Sequence, residues 1–127
     1  FAQEYIPKAP YIPEDQKAGM LKYAENFGGA PVHITVVYDV FEGDDDKTEK
    51  SMQAACAAVQ NLMLAAWEEG LGTVWISGHV CESQITRDVL GLNETQAIAA
   101  IVPIGYPDES PSVPREDVQS KTKWIGF

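Results

Sequence analysis

Residues 51–77 read Ser51-Met52-Gln53-Ala54-Ala55-Cys56-Ala57-Ala58-Val59-Gln60-Asn61-Leu62-Met63-Leu64-Ala65-Ala66-Trp67-Glu68-Glu69-Gly70-Leu71-Gly72-Thr73-Val74-Trp75-Ile76-Ser77. Met52, Ala55, Cys56, Val59, Leu62, Met63 and Ala66 recur at three- and four-residue steps, so residues 51–69 are expected to form an α-helix. The opposite face is also small or apolar, through Ala54, Ala57, Ala58, Leu64 and Ala65, and polar side chains are almost confined to Gln53, Gln60 and Asn61. A helix apolar all round is expected to be covered on all sides. In a domain this small, a second copy of the chain is one such cover, which points to a homodimer. Gly70-Leu71-Gly72 stops the helix in the manner of a glycine C-cap. It lacks the spacing of a dinucleotide fingerprint and precedes a strand instead of a helix, so a nucleotide loop is not expected there. The β-branched and aromatic run at residues 73–77 predicts that strand.

Upstream, Ala30-Pro31 introduces a nearly all-apolar run at residues 32–38, which predicts a strand buried on both faces with His33 as a packed core histidine. The acidic turn from Glu42 to Asp46 follows, offering Asp46 as helix N-cap with Glu49 three residues on, a variant of the capping box. Asp44-Asp45-Asp46 also invites calcium, but Lys50, Ala55 and Asn61 stand where a calcium loop gains nothing, and no metal is expected. Residues 14–26 predict a short helix ended by Phe27-Gly28-Gly29, and residues 1–13, with three prolines and three aromatics, an extended irregular segment. Downstream, residues 83–90 predict a short helix with Ser83 as N-cap and Gly91 as terminator. Residues 97–106 predict a third, buried strand, in which Pro103 has no N–H to give and calls for an edge or a bulge. A proline- and acid-rich loop occupies residues 107–114, and Trp67 and Trp124 are expected to pack. Strand, long helix, strand, helix, strand spells an α+β fold, a sheet covered by helices.

At 127 residues the chain is one domain by length and can bury a core. An apolar fraction of 45% against 22% charged places it with soluble globular domains. No apolar run approaches the roughly 18 residues a membrane span needs. Phe1 stands first and no basic stretch leads into an apolar one, so no signal peptide is expected. The net charge of −10, from 19 acids against 9 bases, repels phosphate backbones and anionic lipid, so neither nucleic acid nor a membrane surface is an expected partner. Cys56 and Cys81 fit neither a disulfide framework nor a metal pair, which points to a reducing, cytoplasmic setting. Arg87 and Arg115 are the only arginines, so a phosphate-bearing ligand would find few guanidinium partners.

Four stretches together resemble the FMN-dependent nitroreductase family. Ala30-Pro31-Val32-His33-Ile34-Thr35-Val36-Val37 is similar to the family's APV-I-VV strand, and residues 54–66, with Gln60-Asn61-Leu62 and Ala65-Ala66, to its A-QN-LLAA helix. Glu69-Gly70-Leu71-Gly72-Thr73-Val74-Trp75-Ile76 is similar to LGLGT-WI, the most specific of the four, and Ile101-Val102-Pro103-Ile104-Gly105-Tyr106-Pro107 to IPIGYP. Their order and spacing carry the resemblance across about 85 residues. It implies a central, mostly antiparallel sheet flanked by helices, a long buried helix at a homodimer interface, and FMN bound at each end of that interface. The implied reaction is ping-pong: NAD(P)H reduces FMN, which then reduces a flat, electron-poor small molecule such as a nitroaromatic or a quinone. No acid–base dyad is present, and no catalytic side chain is expected.

The resemblance also assigns roles. Trp75, Ile76, Ser77 and Gly78 lie where the family lays backbone and a small side chain along the flavin, and Gly78, without a Cβ, lets the main chain approach a flat ring. Read without the resemblance, Ser77-Gly78 ends a strand with a turn. Arg115 matches the tail arginine that pairs with the FMN phosphate, for which a guanidinium fork is suited; the plainer reading is a surface arginine among Glu109, Glu116 and Asp117. His79 falls beside the flavin edge. The family's arginine- and serine-rich opening has no counterpart here, which implies a single domain over 1–127 that is N-terminally incomplete, equivalent to the C-terminal two-thirds of a member. Two other readings remain beside the oxidoreductase: a flavin-binding or flavin-free dimeric module without turnover, and a flavin-consuming or dehalogenating relative.

Overall fold

The fold is built around one apolar strand. In the computed structural model, which describes residues 1–126, β3 (Gln96–Gly105) lies at the centre of a three-stranded sheet, between β1 (Val32–Asp39) and β2 (Gly72–Thr73). Both neighbours run antiparallel to it. α3 (Asp45–Glu68) covers one face of the sheet, while α4 (His79–Glu82) packs against β3 and leads through Ser83 into α5 (Gln84–Leu90). The amino-terminal region folds as α1 (Ala2–Tyr5), a single tight turn at Ile6–Lys8, and α2 (Glu14–Ala24); a last short turn, α6 (Val118–Lys121), lies in the tail.

An extra residue lets β3 serve both faces. Val36 pairs with Ala100 but Val37 pairs with Ile98, so Ala99 is the extra residue of a bulge. Because strand side chains alternate, one extra residue reverses the sidedness of everything beyond it. Ala100 and Val102 therefore pack with Val59 of α3, while Ile98 and Ile101, three residues apart, both pack against Cys81 of α4. Val59, Ala100 and Val102 have no exposed surface at all.

Pro103 explains a second departure. Gly72, Thr73 and Ile76 keep one register against β3, yet only Gly72–Thr73 forms a ladder and Ile76 a lone bridge to Ile101, instead of the strand expected over residues 73–77. Ile101 exchanges backbone hydrogen bonds of 3.0 and 2.9 Å with Ile76, so its polar groups face that side. Two residues on, Pro103 faces the same way with no N–H to offer, and the ladder lapses opposite it. The expected edge or bulge at Pro103 is thus a gap in the neighbouring ladder, and the bulge is at Ala99.

Other expectations need correction. Residues 1–13 are not extended: α1 and the Ile6–Lys8 turn bury Ile6, Ala9 and Ile12 in a small cluster of their own with Leu21 and Ala24 of α2. The α3 N-cap is Asp44, whose side chain accepts from the Lys47 N–H, and not Asp46, which pairs with Lys50 one turn on. β1 is half-buried, because α3 covers only one of its faces, and His33 is exposed with its ring 4.8 Å from Phe27. α3 buries the face carrying Ala55, Cys56, Val59, Leu62, Met63 and Ala66, while Ala54, Ala57, Ala58, Leu64 and Ala65 remain exposed. The helix is therefore not buried all round within one chain. Trp67 and Trp124 are 73% and 67% exposed and do not enter the core. Gly91 ends α5 in the left-handed conformation expected of it, but Ser83 makes no side-chain cap. No helix among the described residues is long and apolar enough to cross a membrane.

Candidate functional site

Where β2 lapses, the chain from Trp75 to Gly78 is held by other means. Ile76 is pinned by its two bonds to Ile101, and the Cys81 thiol reaches back to the Ile76 carbonyl at 3.6 Å. Burial pushes the Cys81 thiol up, so it is a protonated packing group at neutral pH. Gly78 adopts φ 80°, ψ −148°, a backbone region open essentially to glycine alone. That turn aims its carbonyl into α4, where it accepts from the N–H groups of Cys81 (2.8 Å) and Glu82 (3.3 Å). A Cβ placed on Gly78 would meet nothing within 4 Å, so its outer side is open space.

Ser77 and Gly78 stand between two cavities. The larger, about 700 Å³, is walled by Ile76, Ser77, Gly78 and His79 on one side and by Tyr5, Tyr11, Met20, Tyr23 and Phe27 on the other. The smaller, about 360 Å³, lies toward α3 and holds Met52, Cys56, Cys81 and Arg87 beside the same serine and glycine. The Tyr5 ring lies 4.8 Å from that of His79, whose Nδ1 is 3.4 Å from a Glu82 carboxylate oxygen. Among the described residues, no three His, Cys, Asp or Glu side chains come together to hold a metal ion.

Tyr5 and Tyr11 share a hydrogen bond through their hydroxyls. That bond, with desolvation and the charges of Tyr11 and Glu82 behind it, pushes Tyr5 up from 10.0 to about 12. A raised phenol stabilises the fold fully below its unfolded value of 10.0 and loses that contribution as pH rises through about 12. Phenolate absorbance is expected to show one tyrosine ionising near 12, returned toward 10.0 by Tyr11→Phe. A titration unchanged by Tyr11→Phe would break the link between the two rings.

The residues expected at the site separate into three groups. Ile76, Ser77, Gly78 and His79 come together at the larger cavity. Trp75 turns to the other face of the sheet and packs beside Val59 and Val102, so it supports the site from behind. Arg115 is exposed in the tail and lines neither cavity. Arg87 is spoken for: its guanidinium donates to the carbonyls of Gln96 and Asn93, both at 2.7 Å, and locks the turn into β3. Sequence reasoning misses the aromatic wall. The available signal is the crowding of Phe1, Tyr5 and Tyr11 in a segment that also carries Pro7, Pro10 and Pro13, which marks turns without fixing which way the rings point.

The Nitroreductase family model matches residues 2–106, and the chain belongs to that family. It is 32% identical over 101 residues to the Bacillus subtilis (strain 168) protein named "Putative NAD(P)H nitroreductase YfhC", covering 80% of this chain and 52% of that protein. The crystal structure of the nitroreductase-like family protein from Bacillus cereus superposes with a TM-score of 0.72 at 30% identity, over 91% of this chain and 63% of the other. That of the FMN and NADPH-dependent nitroreductase NfnB from Sphigopyxis sp. strain HMH gives 0.68 at 25% identity, over 98% and 57%. The chain spans about half the length of the curated protein it matches at 32% identity. The nitroreductase-like α+β fold expected from the sequence is therefore the fold of this chain.

Proposed function

We infer that the chain is the flavin-binding part of an NAD(P)H-dependent oxidoreductase that works on FMN and passes electrons to a flat, electron-poor acceptor. The observation that carries this reading is Gly78, held at φ 80° with open space over it and flanked by an aromatic-walled cavity of about 700 Å³. A flat ring system fits there: the glycine lets it lie close to the main chain, Ser77 offers an N–H and a hydroxyl at its edge, and the facing rings exclude water. Trp75 and Ile76 fix the height of that floor from the two sides of the sheet. Ser77, Gly78 and the facing rings would hold the flavin, which when bound would supply the redox chemistry between NAD(P)H and the acceptor. The names of relatives such as NfnB, an FMN and NADPH-dependent nitroreductase, support the same cofactor pair. Joined to a family-type arginine- and serine-rich opening ahead of Phe1, the purified protein is expected to absorb in the flavin band and to oxidise NAD(P)H with a nitroaromatic or quinone only when FMN is present. A colourless protein that FMN does not activate would instead fit the flavin-free module.

The reading includes a homodimer. Ala54, Ala57, Ala58, Leu64 and Ala65 leave an apolar face of α3 uncovered, next to the exposed Trp67. Light scattering at micromolar concentration is expected to give twice the chain mass, and Ala58→Arg, on that exposed face, to give a folded monomer. A stable monomer of the unaltered chain would remove the dimer from the proposal.

A further inference from the structure

Cys81 holds the Ser77-Gly78 floor at two points. Its N–H donates to the Gly78 carbonyl at 2.8 Å, and its thiol donates to the Ile76 carbonyl at 3.6 Å. The Ile76 oxygen also accepts from the Ile101 N–H at 2.9 Å, so both of its lone pairs are engaged, and the Gly78 oxygen takes a second donor from Glu82 at 3.3 Å. The two peptide planes that bracket Ser77-Gly78 are thereby fixed. A trans peptide sets its N–H opposite its C=O, so the Ser77 N–H points away from β3. Among the described residues, neither the Ser77 nor the Gly78 N–H has a hydrogen-bond partner. Ile98 and Ile101, with Phe27, Ile76, Val80 and Leu92, pack around Cys81 and leave its sulfur no room to turn away. Burial keeps that sulfur in the S–H form, which can donate.

We propose that Cys81 is a positioning residue: by gripping the carbonyls on both sides of Ser77-Gly78, it presents the two free N–H groups to the edge of a flat ring lying over Gly78. Its sulfur touches neither ring nor acceptor. A thiol is a weak donor, but it counts here because the floor has no ladder behind it: β2 ends at Thr73 and Ile76 is a lone bridge. The identity of the ring rests on the flavin reading above, and the grip itself does not.

The test uses lumiflavin, the isoalloxazine ring without ribityl chain or phosphate, so that the phosphate contacts play no part. Cys81→Ala removes the thiol and keeps the backbone N–H. Cys81→Val restores the lost volume without a donor, and Cys81→Ser restores a donor without the volume. Quenching of lumiflavin fluorescence is expected to show the alanine and valine variants binding about three- to tenfold more weakly than the unaltered chain, and the serine variant within about twofold of it. Cys81→Thr, which has the shape of valine and a hydroxyl, replaces the serine variant if that one does not fold. A hydrogen bond to a carbonyl polarises its whole peptide, so the amide nitrogen resonance of Ser77 reports the grip on Ile76 without any ligand. It is expected to move in the alanine and valine variants and to stay near its place in the serine variant. Recovery of binding by valine and not by serine would make Cys81 a packing residue and overturn the proposal, as would equal binding by all the variants. If the unaltered chain binds no lumiflavin, the flavin reading fails; an unmoved Ser77 resonance in the folded alanine variant overturns the grip.

Discussion

Titrated with FMN, the 127 residues alone are expected to bind the cofactor about two to four orders of magnitude more weakly than the same chain with a family-type arginine- and serine-rich opening joined ahead of Phe1. A phosphate monoester carries close to two negative charges at neutral pH, and the chain already stands at −10. Among the described residues, no lysine or arginine lines the cavity beside Ser77 and Gly78, and Arg87, which borders the smaller one, spends its guanidinium on two backbone carbonyls. The ring end of the cofactor is thus provided for and the phosphate end is not. Two missing charge-assisted contacts at roughly 1.5–3 kcal/mol each account for the expected loss. Quenching of FMN fluorescence measures it. Equally tight binding by both chains would mean that the phosphate is held by residues other than the family's opening.

In the chain carrying that opening, Arg115→Ala is expected to weaken FMN binding by about 10- to 150-fold, the equivalent of one charged hydrogen bond at roughly 1.5–3 kcal/mol. Arg115 stands in an irregular, exposed stretch that lines neither cavity, so this role requires the tail to fold over the phosphate when the cofactor is bound. Arg115→Lys is expected to recover only part of the affinity, since an ammonium supplies the charge without the planar fork. An unchanged dissociation constant would leave Arg115 as a surface residue among its acidic neighbours.

The elements that the sequence announced most clearly are those whose local signals and tertiary contacts agree. β1 and β3 fall within one residue of their expected bounds and α3 ends within one, since apolar periodicity and burial select the same residues, while α3 begins at Asp45, six residues before the periodic stretch. Disagreement arises where a distant partner decides. Thr73 to Ser77 has the composition of a strand, but its ladder depends on Pro103, thirty residues away, and fails opposite it. The Ala99 bulge has no signature in the sequence, because its cause is the need to bury Ile98 and Ile101 together under Cys81. The α3 N-cap lies two residues before the expected one, within a run of three aspartates that composition cannot tell apart. At the site, the Ser77-Gly78 floor was legible and the aromatic wall was not: proline spacing announces turns, but the direction in which the turns send Tyr5 and Tyr11 depends on α2 and α4.

Pro103 has a further consequence in the unfolded chain. Residues 97–102, Ala97-Ile98-Ala99-Ala100-Ile101-Val102, are uncharged and wholly apolar, which is the composition of segments that stack into cross-β fibrils. In the native sheet this segment is central and covered, but during synthesis or after local opening it is free to pair with copies of itself. A proline at its end cannot donate to the next chain in a stack, so it confines such stacking to six residues and interrupts it before Ile104. The residue that costs β2 part of its ladder thereby acts as a gatekeeper against aggregation.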